Sequence, residues 1–307
     1  MQKLALLILL STILITGCGQ KSVTEKPNGY LNNTTLKIAY ALGTLKLIDA
    51  EFPLPTAIQE TKDIIYKTIN GQDLKLDIYQ EKNNSKLKPL IIFIHGGAWK
   101  KGDKQDYWPY LIPYAEKGYV TASIQYRFTG VAKYPAQIND VEDAILWLTK
   151  NAATYHIDPN KIALVGGSAG AHLALLVAYS KPELNIKGIV NLYGPNDLTT
   201  DYAINASSVK YLIGQSYKDA PELYNNASPI NYISSSIPPT LTFQGTLDEL
   251  VPYSQSDNLD KKIKEAGATS YYHKLKGWPH TMDASVKVNA YCRHYMDEFF
   301  ETYISKE

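Results

Sequence analysis

The stretch Ile162-Ala163-Leu164-Val165-Gly166-Gly167-Ser168-Ala169-Gly170-Ala171-His172 decides the fold. Its first four residues form an apolar run of the kind expected of a strand covered on both faces. From Ala171 to Tyr179 the pattern is helical. Between the two lies Gly166-Gly167-Ser168-Ala169-Gly170, a G-x-S-x-G sequence. A sharp turn from strand to helix needs residues with almost no side chain around the central Ser. It holds the hydroxyl out at the C-terminal edge of a sheet and aims the N-terminus of the following helix at it. A phosphate-binding loop would carry a Lys after its glycines, and none stands here. Ser168 is therefore read as a nucleophile.

Outward from this turn the chain alternates strand and helix patterns. Upstream, Ile64 to Ile69 and Leu74 to Tyr79 flank Asn70-Gly71, a strong hairpin signal. Leu90 to Ile94 is a continuous apolar run, and Val120 to Tyr126, Ile189 to Tyr193, Leu241 to Phe243 and 270–276 repeat the strand theme. Ile138, Val141, Ile145 and Leu148 place an apolar stripe on one side of a helix. This order predicts an α/β domain over 60–307, with a doubly wound, mostly parallel sheet that starts antiparallel.

A Ser nucleophile requires a base to take its proton, an acid to orient that base, and donors for the oxyanion. His95-Gly96-Gly97-Ala98 follows the predicted strand 90–94, so the N–H groups of Gly96 and Gly97, with that of Ala169, are the oxyanion-hole candidates. His280 lies in Gly277-Trp278-Pro279-His280, a turn between the strand-like 270–276 and a predicted C-terminal helix over 285–303. Asp248 lies in Gly245-Thr246-Leu247-Asp248, after strand 241–243. The chain order Ser168, Asp248, His280 suits the acyl-transfer triad of this kind of fold. Asp197, Glu249 and Asp283 are the other candidates for the acid, while His95 and His172 read as structural. Such a site uses no metal and no organic cofactor, because nucleophile and electrostatic stabilisation both come from the chain.

At the N-terminus Lys3 supplies a positive charge and Leu4 to Thr16 an apolar run of signal-peptide length, too short to span a bilayer comfortably. It ends in Ile15-Thr16-Gly17-Cys18, which resembles the bacterial lipobox. Residues 1–17 are thus expected to be removed and Cys18 to carry a lipid. The chain would then be exported and anchored to a bacterial membrane, the outer one where there is one. Residues 18–59 read as a tether followed by a helix within 35–49 that is interrupted or ends near Gly43. Besides Cys18 only Cys292 remains, which excludes an intramolecular disulfide within the folded part. Lys plus Arg total 31 against 30 for Asp plus Glu, so the net charge of +1 offers nothing to nucleic acid and suits a small uncharged substrate.

From Pro89 to His280 the chain resembles the α/β-hydrolase carboxylesterases, especially the acetyl-xylan and feruloyl esterase-like branch near the hormone-sensitive-lipase group. Tyr134-Pro135-Ala136, Ile157-Asp158-Pro159, Tyr193-Gly194-Pro195, Ala227-Ser228-Pro229-Ile230 and Gly245 to Pro252 carry the resemblance. The chain departs from it at Ala98, where a third glycine is common, at Gly167, and at Gln244, where His is usual. The resemblance implies a serine carboxylesterase acting on short-chain or small aromatic acyl esters. A lipase, an amidase or peptidase with the same triad, and a lipid-anchored binding module on an inactive hydrolase are the alternatives. Trp99, Trp108 and Trp278 are candidate cleft walls, and residues 201–205 and 211–224 a candidate lid. Oligomeric state stays open.

Overall fold

A computed structural model of the chain describes residues 23–82 and 86–305; the expected signal peptide and Cys18 lie outside the described residues. In chain order the elements are α1 (Asn33–Ala41), β1 (Ile58–Ile69), β2 (Gln72–Glu81), β3 (Lys88–Ile94), α2 (Trp108–Glu116), β4 (Val120–Ile124), α3 (Ala136–Lys150), β5 (Ile157–Gly167) and α4 (Ala169–Ser180). They continue with β6 (Gly188–Leu192), α5 (Asp201–Asn205), α6 (Ser207–Ile213), α7 (Pro221–Asn226), β7 (Thr240–Gly245), α8 (Ser254–Glu265), β8 (Ser270–Leu275) and α9 (Val286–Phe300).

The eight strands form one sheet in the order β1-β2-β4-β3-β5-β6-β7-β8. β1 and β2 pair antiparallel, as do β2 and β4, and every later pairing is parallel. This is the α/β-hydrolase fold, with its antiparallel start. The hairpin turns at Asn70 (φ 51°) and Gly71 (φ 77°), the pair of positive φ values that matches the twist of the flanking strands. β3 explains why its sequence is apolar at every position. Leu90, Ile92 and Ile94 join the core packed under α3 and α4, whereas Ile91 and Phe93 join the core under α2 and α9. A strand covered on both faces loses the polar alternation of a half-exposed one.

The chain runs from β3 outward to β4, then returns to place β5 on the other side of β3. The order of strands therefore reverses between β3 and β5, and the crevice at their C-terminal ends is where open α/β sheets bind ligands. Gly96 and Gly97 follow β3, and Ser168 follows β5.

One strand is shorter than expected: β4 ends at Ile124 rather than Tyr126, although Gln125 N–H still bonds to Lys75 O of β2 at 2.9 Å. The N-terminal helix ends at Ala41, close to the expected break at Gly43 (φ 68°). Residues 23–57 lie against the sheet domain. Thr24 O accepts from Tyr295 OH (3.1 Å), Pro27 O from Trp278 Nε1 (2.9 Å), Tyr30 N–H bonds to Gly277 O (2.7 Å), and Leu47 bridges to Ser285. No helix among the described residues is long and apolar enough to cross a membrane.

Candidate active site

Ser168 occupies the turn between β5 and α4 with φ 53° and ψ −120°, a strained conformation for a residue with a Cβ. The surrounding packing enforces it. A Cβ on Gly170 would stand 1.9 Å from Ile94 O of β3, so only glycine lets α4 start this close to the sheet. Ser168 N–H is taken by Leu192 O of β6 at 2.9 Å. Ala169 N–H is among the first donors of α4, which have no partner inside the helix.

The loop after β3 packs directly on this turn. A Cβ on Gly96 would lie 2.9 Å from Gly167 O and 3.4 Å from the Ser168 Cβ. Gly97 has φ 101°, and a Cβ there would meet Lys101 O at 2.0 Å. Ala98 and Trp99 also have positive φ, so the loop is held in a conformation that its own residues disfavour. Two buried histidines brace it. His95 stacks on Tyr126 with ring centroids 4.5 Å apart, and burial holds its pKa down. His172 on α4 accepts the Trp99 indole N–H at Nδ1 (3.3 Å), so Nε2 carries the proton and donates to Ala227 O at 2.7 Å. Burial pushes the His172 pKa down to about 4.

Asp248 and His280 stand on the loops after β7 and β8. His280 Nδ1 lies 2.6 Å from Asp248 Oδ2; since an ionised carboxylate only accepts, Nδ1 bears the hydrogen and Nε2 presents a lone pair. The same Oδ2 accepts from Gln244 Nε2 at 2.9 Å, and Oδ1 accepts from the N–H groups of Leu250 and Val251, both at 2.9 Å. Gln244, a departure in the sequence, thus positions Asp248 while its own Oε1 accepts from Ser256 Oγ at 3.1 Å. Of the other acid candidates, Asp197 accepts from Thr199 within its own loop and Glu249 from Asn33 Nδ2 at 2.6 Å. Neither bonds to a histidine.

Ser168, His280, Gly96 and Gly97 line one cavity of about 490 Å³. Tyr107, Tyr110 and Tyr193 wall it, with Ile48 and Leu250 among its apolar residues. The tryptophans do not. Trp99 is 3% exposed and serves as packing, Trp278 is 1% exposed and borders a neighbouring cavity with Leu36 and Tyr40, and Trp108 faces a separate depression beside Phe52. None of residues 201–224 lines the cavity either; Ala203, Val209, Leu212 and Tyr224 pack into the core under α3 and α4.

Sequence reasoning named Asp283 as a candidate acid but missed the polar cluster that it forms in this wall. Asp283, three residues after His280, accepts from Tyr193 OH at 2.7 Å and from Tyr110 OH at 3.0 Å. Burial raises the Asp283 pKa, although both hydroxyl bonds pull it back down. Tyr193 has φ 48° and its ring stands edge-on to the His280 imidazole at 4.6 Å, so the cluster also walls the base.

Among known proteins, the BD-FAE family model matches residues 76–263. Esterase LipQ of Mycobacterium tuberculosis is 32% identical over 267 residues, covering 81% of this chain and 63% of LipQ. Esterase LipC of the same organism is 30% identical over 229 residues, covering 68% of this chain and 57% of LipC, so the chain spans less than two thirds of either relative. Among solved structures, a truncated carbohydrate esterase from gut microbiota superposes with a TM-score of 0.71 at 25% identity, covering 81% of this chain and 97% of that one. Esterase 2 of Thermogutta terrifontis has the same fold, with a TM-score of 0.69 at 22% identity over 85% of this chain and 96% of that one.

Proposed function

The chain belongs to the BD-FAE family, and on that premise we propose that it is a serine carboxylesterase hydrolysing short-chain or small aromatic acyl esters. The observation that carries the reading is the 2.6 Å Asp248–His280 bond, with the imidazole on the wall of the cavity that Ser168, Gly96 and Gly97 share. In this mechanism His280 Nε2 takes the Ser168 proton as Oγ attacks the ester carbonyl. Asp248 steadies the imidazolium without being protonated. The N–H groups of Gly96, Gly97 and Ala169 receive the oxyanion, and His280 passes its proton to the departing alkoxide. Water then repeats the sequence on the acyl-enzyme and releases the acid.

The cavity supports a small acyl group. Its wall includes the side chains of Asp283, Tyr110 and Tyr193, and a pocket of this size forgoes about 0.8 kcal/mol for each methylene that it leaves unburied. The lipobox ending in Cys18 supports export and lipid anchoring to a bacterial membrane. The test is a fluorophosphonate probe together with a panel of acetyl, butyryl, octanoyl and feruloyl esters. We expect labelling of Ser168 alone, loss of labelling and hydrolysis in Ser168→Ala, and preference for acetyl and butyryl. Undiminished hydrolysis by Ser168→Ala would sink the mechanism, and a higher kcat/KM for octanoyl than for butyryl would sink the acyl assignment.

A further inference from the structure

A second cavity of about 280 Å³ adjoins the first and shares His280, Thr281 and Ala284 with it. Its remaining wall is chiefly apolar, with Leu36 and Tyr40 of α1, Leu45 and Leu47 of the segment that follows, and Trp278 and Pro279 of the loop leading to His280, while Lys37 and Ser285 are its polar members. All of these lie outside residues 76–263, the part matched by the family.

The annex is built, not incidental. Asn32 caps α1 through a reciprocal pair of bonds with Thr35, and Asn33 Nδ2 fixes its first turn to Glu249 at 2.6 Å. Beyond its last turn, Val286 N–H bonds to Lys46 O at 3.0 Å and Ile48 N–H to Ala284 O at 2.9 Å. The helix is thus held across the His280 loop at both ends. Thr281, exposed and in a left-handed conformation (φ 54°), stands on the rim common to both cavities.

We propose that this annex is the subsite for the alcohol half of the ester, and that it takes an apolar alkyl or aryl group. The inference rests on the esterase reading. In acyl transfer the base that leaves Ser168 protonates the departing alkoxide, so the alcohol oxygen sits within hydrogen-bond reach of His280. A substituent on that oxygen extends to the His280 side. The annex is bounded by His280 and by neither Ser168 nor the Gly96-Gly97 loop, which places it on the alcohol side. Its leucines and Trp278 reward hydrocarbon burial and offer a hydroxyl-rich sugar few partners.

The test holds the acyl group at acetyl and lengthens the alcohol from methyl to hexyl, with benzyl acetate as the aryl case. For the full chain kcat/KM should rise about three- to fourfold with each methylene that enters the annex. Leu36→Gln and Tyr40→Gln, neither in the catalytic machinery and the latter at a position 59% exposed, should flatten the series while leaving methyl acetate hydrolysis unchanged. A flat series in the parent protein, or an equal slope in both variants, overturns the subsite. A second measurement separates the two readings: 1-hexanol added to Ser168→Ala should change Trp278 fluorescence, and Leu36→Gln should abolish the change. Hexanol binding without turnover of any ester would fault the esterase reading and keep the cavity's preference. No fluorescence change and no slope would end the proposal.

Discussion

Two carboxylates flank His280, and their surroundings assign them different work. Asp248 accepts four N–H donors, from His280, Gln244, Leu250 and Val251, a set that suits an anion. Asp283 accepts two tyrosine hydroxyls in a pocket whose burial raises its pKa, so it meets hydroxyl donors and no N–H of the His280 ring. Replacing Asp248 by Asn turns one acceptor oxygen into a donor facing a donor, so His280 loses the tautomer that keeps Nε2 basic. We expect Asp248→Asn to lower kcat on the order of 10³-fold or more. Asp283→Asn retains an acceptor for one tyrosine and should stay within about tenfold of the parent. Steady-state kinetics on one short ester compares the two, and the reverse ranking would transfer the orienting role to Asp283. Asp283 shows why the chemistry was only partly legible. Asp248 and His280 could be located because each follows a recognisable strand, but Tyr193 and Tyr110 are 90 and 173 residues from Asp283. A contact at that separation leaves no trace in local pattern.

At the scale of elements, His172 joins three pieces that the proposed acyl transfer needs in register: the Trp99 loop, α4 and the chain at Ala227. Its proton affinity makes that joint sensitive to acid. The unfolded chain protonates His172 near its ordinary value of 6.5, the folded chain only near about 4, so the unfolded state binds more protons between those limits. Stability is therefore complete above pH 6.5 and falls as the pH drops toward about 4. At about 1.4 kcal/mol per tenfold in proton affinity the loss is on the order of 3 kcal/mol. His273, whose pKa is also pushed down to about 4, chiefly by burial, adds in the same direction. Urea midpoints at pH 7, 5.5 and 4.5 should decline in the parent and decline less in His172→Gln, whose amide can both accept from Trp99 and donate to Ala227. Equal declines would remove His172 from the account. Sequence reading did anticipate a structural His172, and the hairpin at Asn70-Gly71 and the doubly covered β3 follow from local rules. It erred on the tryptophans because adjacency to a motif says nothing about which way a side chain points. Trp99 follows the Gly96-Gly97 turn and still packs inward, as its positive φ directs.

On the scale of the whole molecule, the N-terminal segment gives the proposed anchor a geometric consequence. A tether running from Cys18 to residue 59 would leave the domain free over a wide volume, but the chain is fastened to the domain from Thr24 onward, through Tyr295, Trp278 and the backbone of Gly277. Thr24 lies six positions after Cys18 in the sequence. Since an extended chain covers at most about 3.6 Å per residue, a lipid on Cys18 would hold the domain within about 22 Å of the bilayer. The side that carries α1 and α9 would then be the near one, and with it the annex beside His280. Because these contacts are made by residues after Cys18, the fold does not depend on the lipid. We expect Cys18→Ser to lose incorporation of labelled palmitate and to move from the membrane to the soluble fraction, with kcat/KM for a short water-soluble ester unchanged within about twofold. Parent protein recovered soluble and unlabelled would dismiss the anchor. A Cys18→Ser protein that is soluble but inactive on that ester would show instead that the bilayer helps to form the site.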